Sequence, residues 1–237
     1  KEGIKDGILV EYDYYIYRNE LTDEEEKKYD NYTQQISILA SKIKNIKDKK
    51  QKFKLQNDLN ELRIQRSKII KESSLKINQV DKIFYDLKKA CHNKIADSIF
   101  FTASSDQSNK VHDKIFNDHD FKDVRQLNSI EETTPINNQI LDDFKRQAYS
   151  ILVCIDMLGE GVDIPNLRSM VNISTDNNQR KYIQRRGRVL RISKNNNKSY
   201  ANIFDIITFN KKGEPFSVEA ERMNIFKDEA RKTIKRY

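Results

Sequence analysis

Glycine and proline are scarce in this chain of 237 residues, 6 and 3 respectively. That excludes a turn-rich β-sandwich and favours long regular elements, mostly helices. Cysteine is rarer still: Cys91 and Cys154 stand far apart, which excludes a disulfide scaffold and points to the reducing cytoplasm. No apolar run approaches the ~20 residues of a bilayer span, so no membrane association is expected. The opening KEGIKDG lacks the apolar segment of a secretory signal, and a start at Lys1 rather than Met suggests a piece of a longer protein. What is present is charge and aromatic surface. Lys and Arg number 44 against 36 Asp and Glu, a formal excess of +8 that permits a polyanionic partner without requiring one. The 11 Tyr and 11 Phe supply the apolar surface that lifts so charged a chain above disorder. At ~150 residues per domain, one or two compact units are expected.

Composition shifts near residue 97. Residues 8–18, rich in Tyr and β-branched types, predict a strand. Thr22 followed by Glu25 is a capping box. Behind it Tyr29, Tyr32, Ile36, Leu39, Ile43 and Ile46 recur at helical spacing. Leu55, Leu59, Leu62 and Ile69 mark a second helix, and the two predict an antiparallel hairpin. A third helix is expected over 76–94. At the hairpin tip Lys44, Lys47, Lys49, Lys50, Lys52 and Lys54 face a single acid, Asp48. Lys47, Lys49 and Lys50 are candidate phosphate contacts, against the plainer reading of a solvated turn.

Beyond residue 97, strands at 97–103, 123–127, 150–155, 168–173 and 200–208 alternate with helices at 106–117, 135–147, 178–187 and 217–235. Thr134-Pro135 fits a helix start, and the near-continuous apolar run SILVCI fits a central parallel strand. The alternation predicts an α/β fold, a parallel sheet with helices on both faces, preceded by a strand and a long antiparallel helical hairpin. The expected division is 1–96 and 97–237.

Ligands of such sheets sit at the carboxyl ends of the strands. After the strand at 150–155 comes DMLGEGVDIP, where Gly159 and Gly161 allow close backbone approach and Asp163 can accept from a ribose hydroxyl; a plain turn explains the same residues. On the helix near 180 stands QRRGRVLR. Arg188 and Arg191, three apart, share a face and suit phosphoryl oxygens, while Arg185 and Arg186 must point elsewhere; a basic surface helix or a nucleic-acid stripe explains the same residues. Gly187 costs this helix about 1 kcal/mol relative to Ala. His92, His112 and His119 are scattered, Asp142-Asp143 reads as a solvated face, and no metal site is expected.

Together these segments resemble the C-terminal RecA-like domain of superfamily 2 helicases. GEGVDIP at 159–165 resembles motif V and QRRGRVLR at 184–191 matches the Q-R-x-G-R-x-x-R form of motif VI. IFFTASSDQSNKVHDKIF at 99–116 resembles motif IV, and LDDFKRQAYSILVCIDML at 141–158 the approach to motif V. The Tyr-rich stretch, the ELTDEEEKKY helix start and residues 60–84 are similar to repair helicases of the xeroderma group B type and to restriction and phage-defence helicases. The resemblance implies a RecA-like sheet and ATP with Mg²⁺ between two lobes. It implies Arg188 and Arg191 as arginine fingers organised by Gln184. Gly159, Glu160, Gly161 and Asp163 would lie at the nucleotide, and Thr102, Ser104 and Ser129 along the bound strand. The implied partners are a nucleic acid, DNA by this likeness, and an N-terminal lobe of the same protein. Ile155 stands where motif V carries Thr or Ser. No GxxxxGK[ST] loop or DExH box occurs, so this stretch alone is expected to be inactive in hydrolysis. A non-catalytic docking module built on such a lobe is the alternative, and a phosphate-binding metabolic enzyme, which lacks a supporting acid–base cluster, is a third.

Overall fold

The computed structural model describes residues 8–127, 135–155, 164, 166–174, 178–192 and 198–236. The chain divides into two units: Glu20–Leu75, and the sequence on either side of it. The divisions at 19/20 and 75/76 differ from the composition shift at 96/97, because the first strand and the third helix build the sheet unit.

The inserted unit is the predicted hairpin, α1 (Asp23–Lys44) and α2 (Lys49–Lys71). Thr22 caps α1 by accepting from the Glu25 N–H at 3.2 Å. The Glu25 carboxylate accepts in return from Thr22 N at 3.0 Å. It also accepts from the Ser74 N–H at 2.8 Å and the Ser73 hydroxyl at 3.2 Å, which clasps the start of α1 to the chain leaving α2. Asp48 caps α2 through Gln51 N at 2.8 Å. The predicted stripes meet in a thin seam in which Ile43 and Leu59 are buried; on α2 Ile70, and not the expected Ile69, is the buried isoleucine. Arg66 closes it from outside, over the Tyr29 ring at 5.3 Å and donating to Thr33.

The other unit is a seven-stranded sheet of β1 (Glu11–Glu20), β2 (Ser98–Thr102), β3 (Val124–Leu127), β4 (Ile151–Ile155), β5 (Ser169–Asn172), β6 (Tyr200–Phe209) and β7 (Lys232–Arg236), in the order β3-β4-β2-β5-β6-β1-β7. The β3–β4, β4–β2, β2–β5, β5–β6 and β1–β7 pairs are parallel. Alternate side chains face opposite sides. Tyr12, Tyr14, Ile99, Phe101, Leu152, Met170 and Ile203 share one core with α5 (Pro135–Lys145), α6 (Gln179–Val189) and α7 (Ser217–Glu229). Tyr17, Phe100, Val153, Val171 and Phe204 share the other with α3 (Gln79–Ala90) and α4 (Ser105–Asp113). This is the RecA-like arrangement, with helices on both faces. Among the described residues no helix is long and apolar enough to cross a membrane.

Three elements depart from expectation. The helix expected over 76–94 begins as a 3₁₀ turn, Ser74–Asn78, and is α-helical only over Gln79–Ala90. The helix of 106–117 ends in a π turn at Lys114–Asp118. The final helix does not run to 235: α7 stops at Glu229 and the chain re-enters the sheet as β7. Arg231 N donates to Tyr12 O at 2.9 Å. The Arg231 guanidinium grips Asp13 at 2.8 and 2.9 Å, and that of Arg236 grips Asp86 at 2.8 and 3.0 Å. Two bidentate pairs to distant carboxylates outweigh the helical propensity of an uninterrupted sequence. The Lys and Arg of β7 also suit an edge strand.

Candidate functional site

Parallel register aligns Leu127, Cys154, Phe101 and Asn172 across four neighbouring strands, so their carboxyl ends form one edge. At that edge Ser104 caps α4 by accepting from Gln107 N at 3.4 Å, and is half-buried. Thr102 is fully buried, and its hydroxyl donates to Cys154 O at 3.2 Å. That hydroxyl is used between β2 and β4. Asn172 and Ser174, which the sequence reading passed over, are buried at the same edge with side-chain polar atoms that find no partner among the described residues. Ser129, Gly159, Glu160, Gly161 and Asp163 lie outside the described residues.

The Gln184–Arg191 segment occupies the second half of α6 and its cap. Asn178 caps the helix start, and Leu190 is the C-cap. Four arginines separate by burial. Arg185 is 4% exposed and lies over the Phe101 ring at 4.6 Å; burial pulls its pKa down to about 10. Arg186 is also buried: it pairs with Glu229 at 3.0 Å, donates to Tyr12 Oη at 3.4 Å, and stands over the Phe226 ring at 5.4 Å. These two fasten α6 to the sheet and α7. Arg188 stays half-buried and Arg191 exposed, with Gln184 half-buried beside them. Arg191 N donates to Arg188 O at 3.3 Å, so the two remain one turn apart although the helix closes at Val189.

The turn after α6 is held from beneath by Lys198. Its ammonium donates to the carbonyls of Leu167 at 2.6 Å, Arg191 at 3.2 Å and Val189. Burial pulls its pKa down to about 8. Val10 N donates to Leu190 O at 2.8 Å from the other side. No signal in the sequence marks Lys198, one lysine among many.

A Cβ built on Gly187 meets nothing within 4 Å among the described residues. The helix therefore carries the cost of a glycine that its own packing does not require. Gly187→Ala is expected to raise the unfolding free energy of the chain by up to about 1 kcal/mol, read by urea titration. A loss of stability would place the reason for the glycine inside this lobe.

Guanidiniums such as that of Arg188, in the last turn of α6, and that of Arg191, just past its C-cap, fit phosphate oxygens, which accept planar bidentate donors. Among the described residues no group of three or more His, Cys, Asp or Glu side chains is arranged to hold a metal ion.

The model of the helicase conserved C-terminal domain family matches residues 75–193, half of the chain. An ATP-dependent RNA helicase DBP6 of Lodderomyces elongisporus is 30% identical over 147 residues, which are 57% of this chain and 21% of the relative. The chain thus spans about a fifth of that protein. Among solved structures, the C-terminal part of the Fun30 ATPase domain aligns over 93% of this chain and 98% of its own, at 16% identity and a TM-score of 0.56. Domain 2 of the DEAD-box helicase Mss116p, solved bound to an RNA duplex, aligns over 96% and 64%, at 16% identity and a TM-score of 0.51. These likenesses support the RecA-like fold.

Proposed function

The chain belongs to the helicase conserved C-terminal domain family, and on that premise we propose that it is the second lobe of an ATP-dependent superfamily 2 motor that moves along a nucleic acid. The observation that carries the proposal is the division of labour on α6. Arg185 and Arg186 are spent inside the fold and fix α6, so Arg188 in its last turn and Arg191 just past its C-cap are held in place. When bound, ATP with its Mg²⁺ supplies the γ-phosphoryl group whose hydrolysis drives the cycle. Arg188 and Arg191 donate to the phosphoryl oxygens and stabilise the charge that grows on them in the transition state. Gln184, one turn before Arg188, orders the contacts around the guanidinium. Gly159, Glu160, Gly161 and Asp163 keep, by resemblance, the role of meeting the nucleotide. The cation and the remaining phosphate contacts fall to the first lobe of the same protein, so this stretch alone does not hydrolyse ATP.

Along the carboxyl edge, Ser104 and Ser129 would touch the strand's phosphates, with Thr102 acting beneath them by tying β2 to β4. Lys47, Lys49 and Lys50 at the exposed hairpin tip would add further phosphate contacts, each releasing a counterion. DNA is the proposed track, on the resemblance to repair and restriction helicases. RNA is its direct competitor, because the 30%-identical relative bears the name of an RNA helicase. The test is ATP hydrolysis by the full-length protein with duplex DNA, single-stranded DNA and RNA. Stimulation by DNA of at least tenfold over RNA is expected. Stimulation by RNA alone would replace the track, and no hydrolysis with intact salt-sensitive binding would leave a docking module.

A further inference from the structure

We infer that Phe53 and the two lysines one turn before it form a stacking platform, at the hairpin tip, for an unpaired base of the nucleic-acid strand. The inference rests on the motor reading, which supplies the strand, and goes beyond it by naming the form of nucleic acid that the tip selects.

The tip is electrostatically unfavourable as it stands. Helix α2 opens Lys49-Lys50-Gln51-Lys52 with no acid in its first turn, so cations crowd the end where the helix dipole is already positive. The nearby carboxylate, Asp48, is engaged in capping Gln51. Among the described residues none of Lys44, Lys47, Lys49, Lys50, Lys52 and Lys54 forms an ion pair. A polyanion relieves such an arrangement.

Phe53 adds what a phosphate alone does not use. Its ring is 65% exposed, although α1 runs alongside and takes in Leu55 and Leu59 from the same helix. Lys49 and Lys50 are its i−4 and i−3 neighbours, so ring and ammonium groups share one face of α2. An exposed aromatic flanked by cations is the combination that binds single strands without reading sequence: the ring stacks on a base while the lysines follow the backbone. Paired bases are stacked on each other and offer no open face. At about 1.5 Å per residue, Phe53 lies roughly 27 Å along α2 from the end of that helix at Lys71.

The measurement is fluorescence anisotropy of the full chain with a single-stranded oligonucleotide and with a blunt duplex of the same sequence, over a salt series. Phe53→Ala is expected to weaken single-strand binding roughly tenfold and duplex binding less than twofold, with the salt slope unchanged. The joint variant of Lys49→Ala and Lys50→Ala should weaken both and lower the duplex salt slope by about 1.8. The chain has no tryptophan, so Phe53→Trp provides a single indole that should restore affinity and be quenched by the single strand. Unchanged single-strand affinity in Phe53→Ala, equal losses on both substrates, or an unquenched indole would each overturn the platform. ATP hydrolysis by the full-length protein separates the two readings: a Phe53 effect without any hydrolysis would retain the platform and remove the motor, and the converse would do the reverse.

Discussion

Arg188→Ala is expected to lower nucleic-acid-stimulated ATP hydrolysis by the full-length protein roughly 10³-fold, the magnitude attached to an arginine finger. Binding of the nucleic acid should change less than threefold, since Arg188 is assigned to the phosphoryl group and not to the strand. The neighbouring arginines make the prediction sharp. Arg185 sits under the sheet edge on Phe101 and is 4% exposed, so Arg185→Met should reduce stability and leave the chemistry of the surviving folded fraction in place. Arg188→Lys is expected to rescue little, because an ammonium lacks the planar fork that meets two phosphoryl oxygens at once. Wild-type turnover in Arg188→Ala would end the finger assignment, and with it the strongest reason to prefer a motor over a docking lobe.

The second large effect concerns stability, and lies on the side of the sheet covered by α7. Arg222 and Asp205 are fully buried and meet through two hydrogen bonds of 2.9 and 3.0 Å. Tyr14 donates to the same carboxylate at 2.7 Å. Glu219, one turn before Arg222, takes the buried ammonium of Lys76 at 2.8 Å and the N–H of Thr208. Burial works against the Arg222 charge, but Asp205 and Glu219 beside it outweigh that penalty and hold its pKa up. For Lys76 burial dominates and lowers the pKa despite Glu219. Removing one partner strands an uncompensated charge in the core, so Arg222→Met is expected to cost about 3–5 kcal/mol. That is a large part of the 5–15 kcal/mol typical of a folded domain. The double variant of Asp205→Leu with Arg222→Met should lose less than the two single losses added, because it removes both buried charges together. Chemical denaturation of the four proteins measures the cycle. A cost below about 1 kcal/mol for Arg222→Met would mean that the network does not hold α7 to the sheet.

Much of this protein was legible because its signals are local. Thr22 and Glu25 form their capping box within four residues, and the hairpin stripe from Tyr29 to Ile46 is half-buried or buried throughout. SILVCI became a central strand because an apolar run leaves a parallel strand no polar face to turn outward. Arg188 and Arg191 remain one turn apart because i, i+3 spacing is a property of the chain itself. The alternation of strands and helices beyond residue 97 and the family likeness follow from such local patterns in series.

The tertiary structure decided what depends on partners far along the chain. Residues 217–235 contain no break that a helical pattern could register, yet Asp13 and Asp86 hold Arg231, just before β7, and Arg236, at its end, so that the chain between them runs as a strand. Lys76, Asp205, Glu219 and Arg222 are residue types that ordinarily belong to water, and only their mutual neutralisation across up to 143 positions lets them lie in the core. Thr102 looks like a surface hydroxyl in sequence and becomes an inter-strand tie. Arg185 and Arg186 cannot be told from Arg188 by type, and what separates them is the Phe101 ring, Glu229 and Tyr12. Periodicity states which face of an element is apolar. Which polar group finds a buried partner is settled only when distant segments meet, since the cost of burying a charge depends on what stands opposite it.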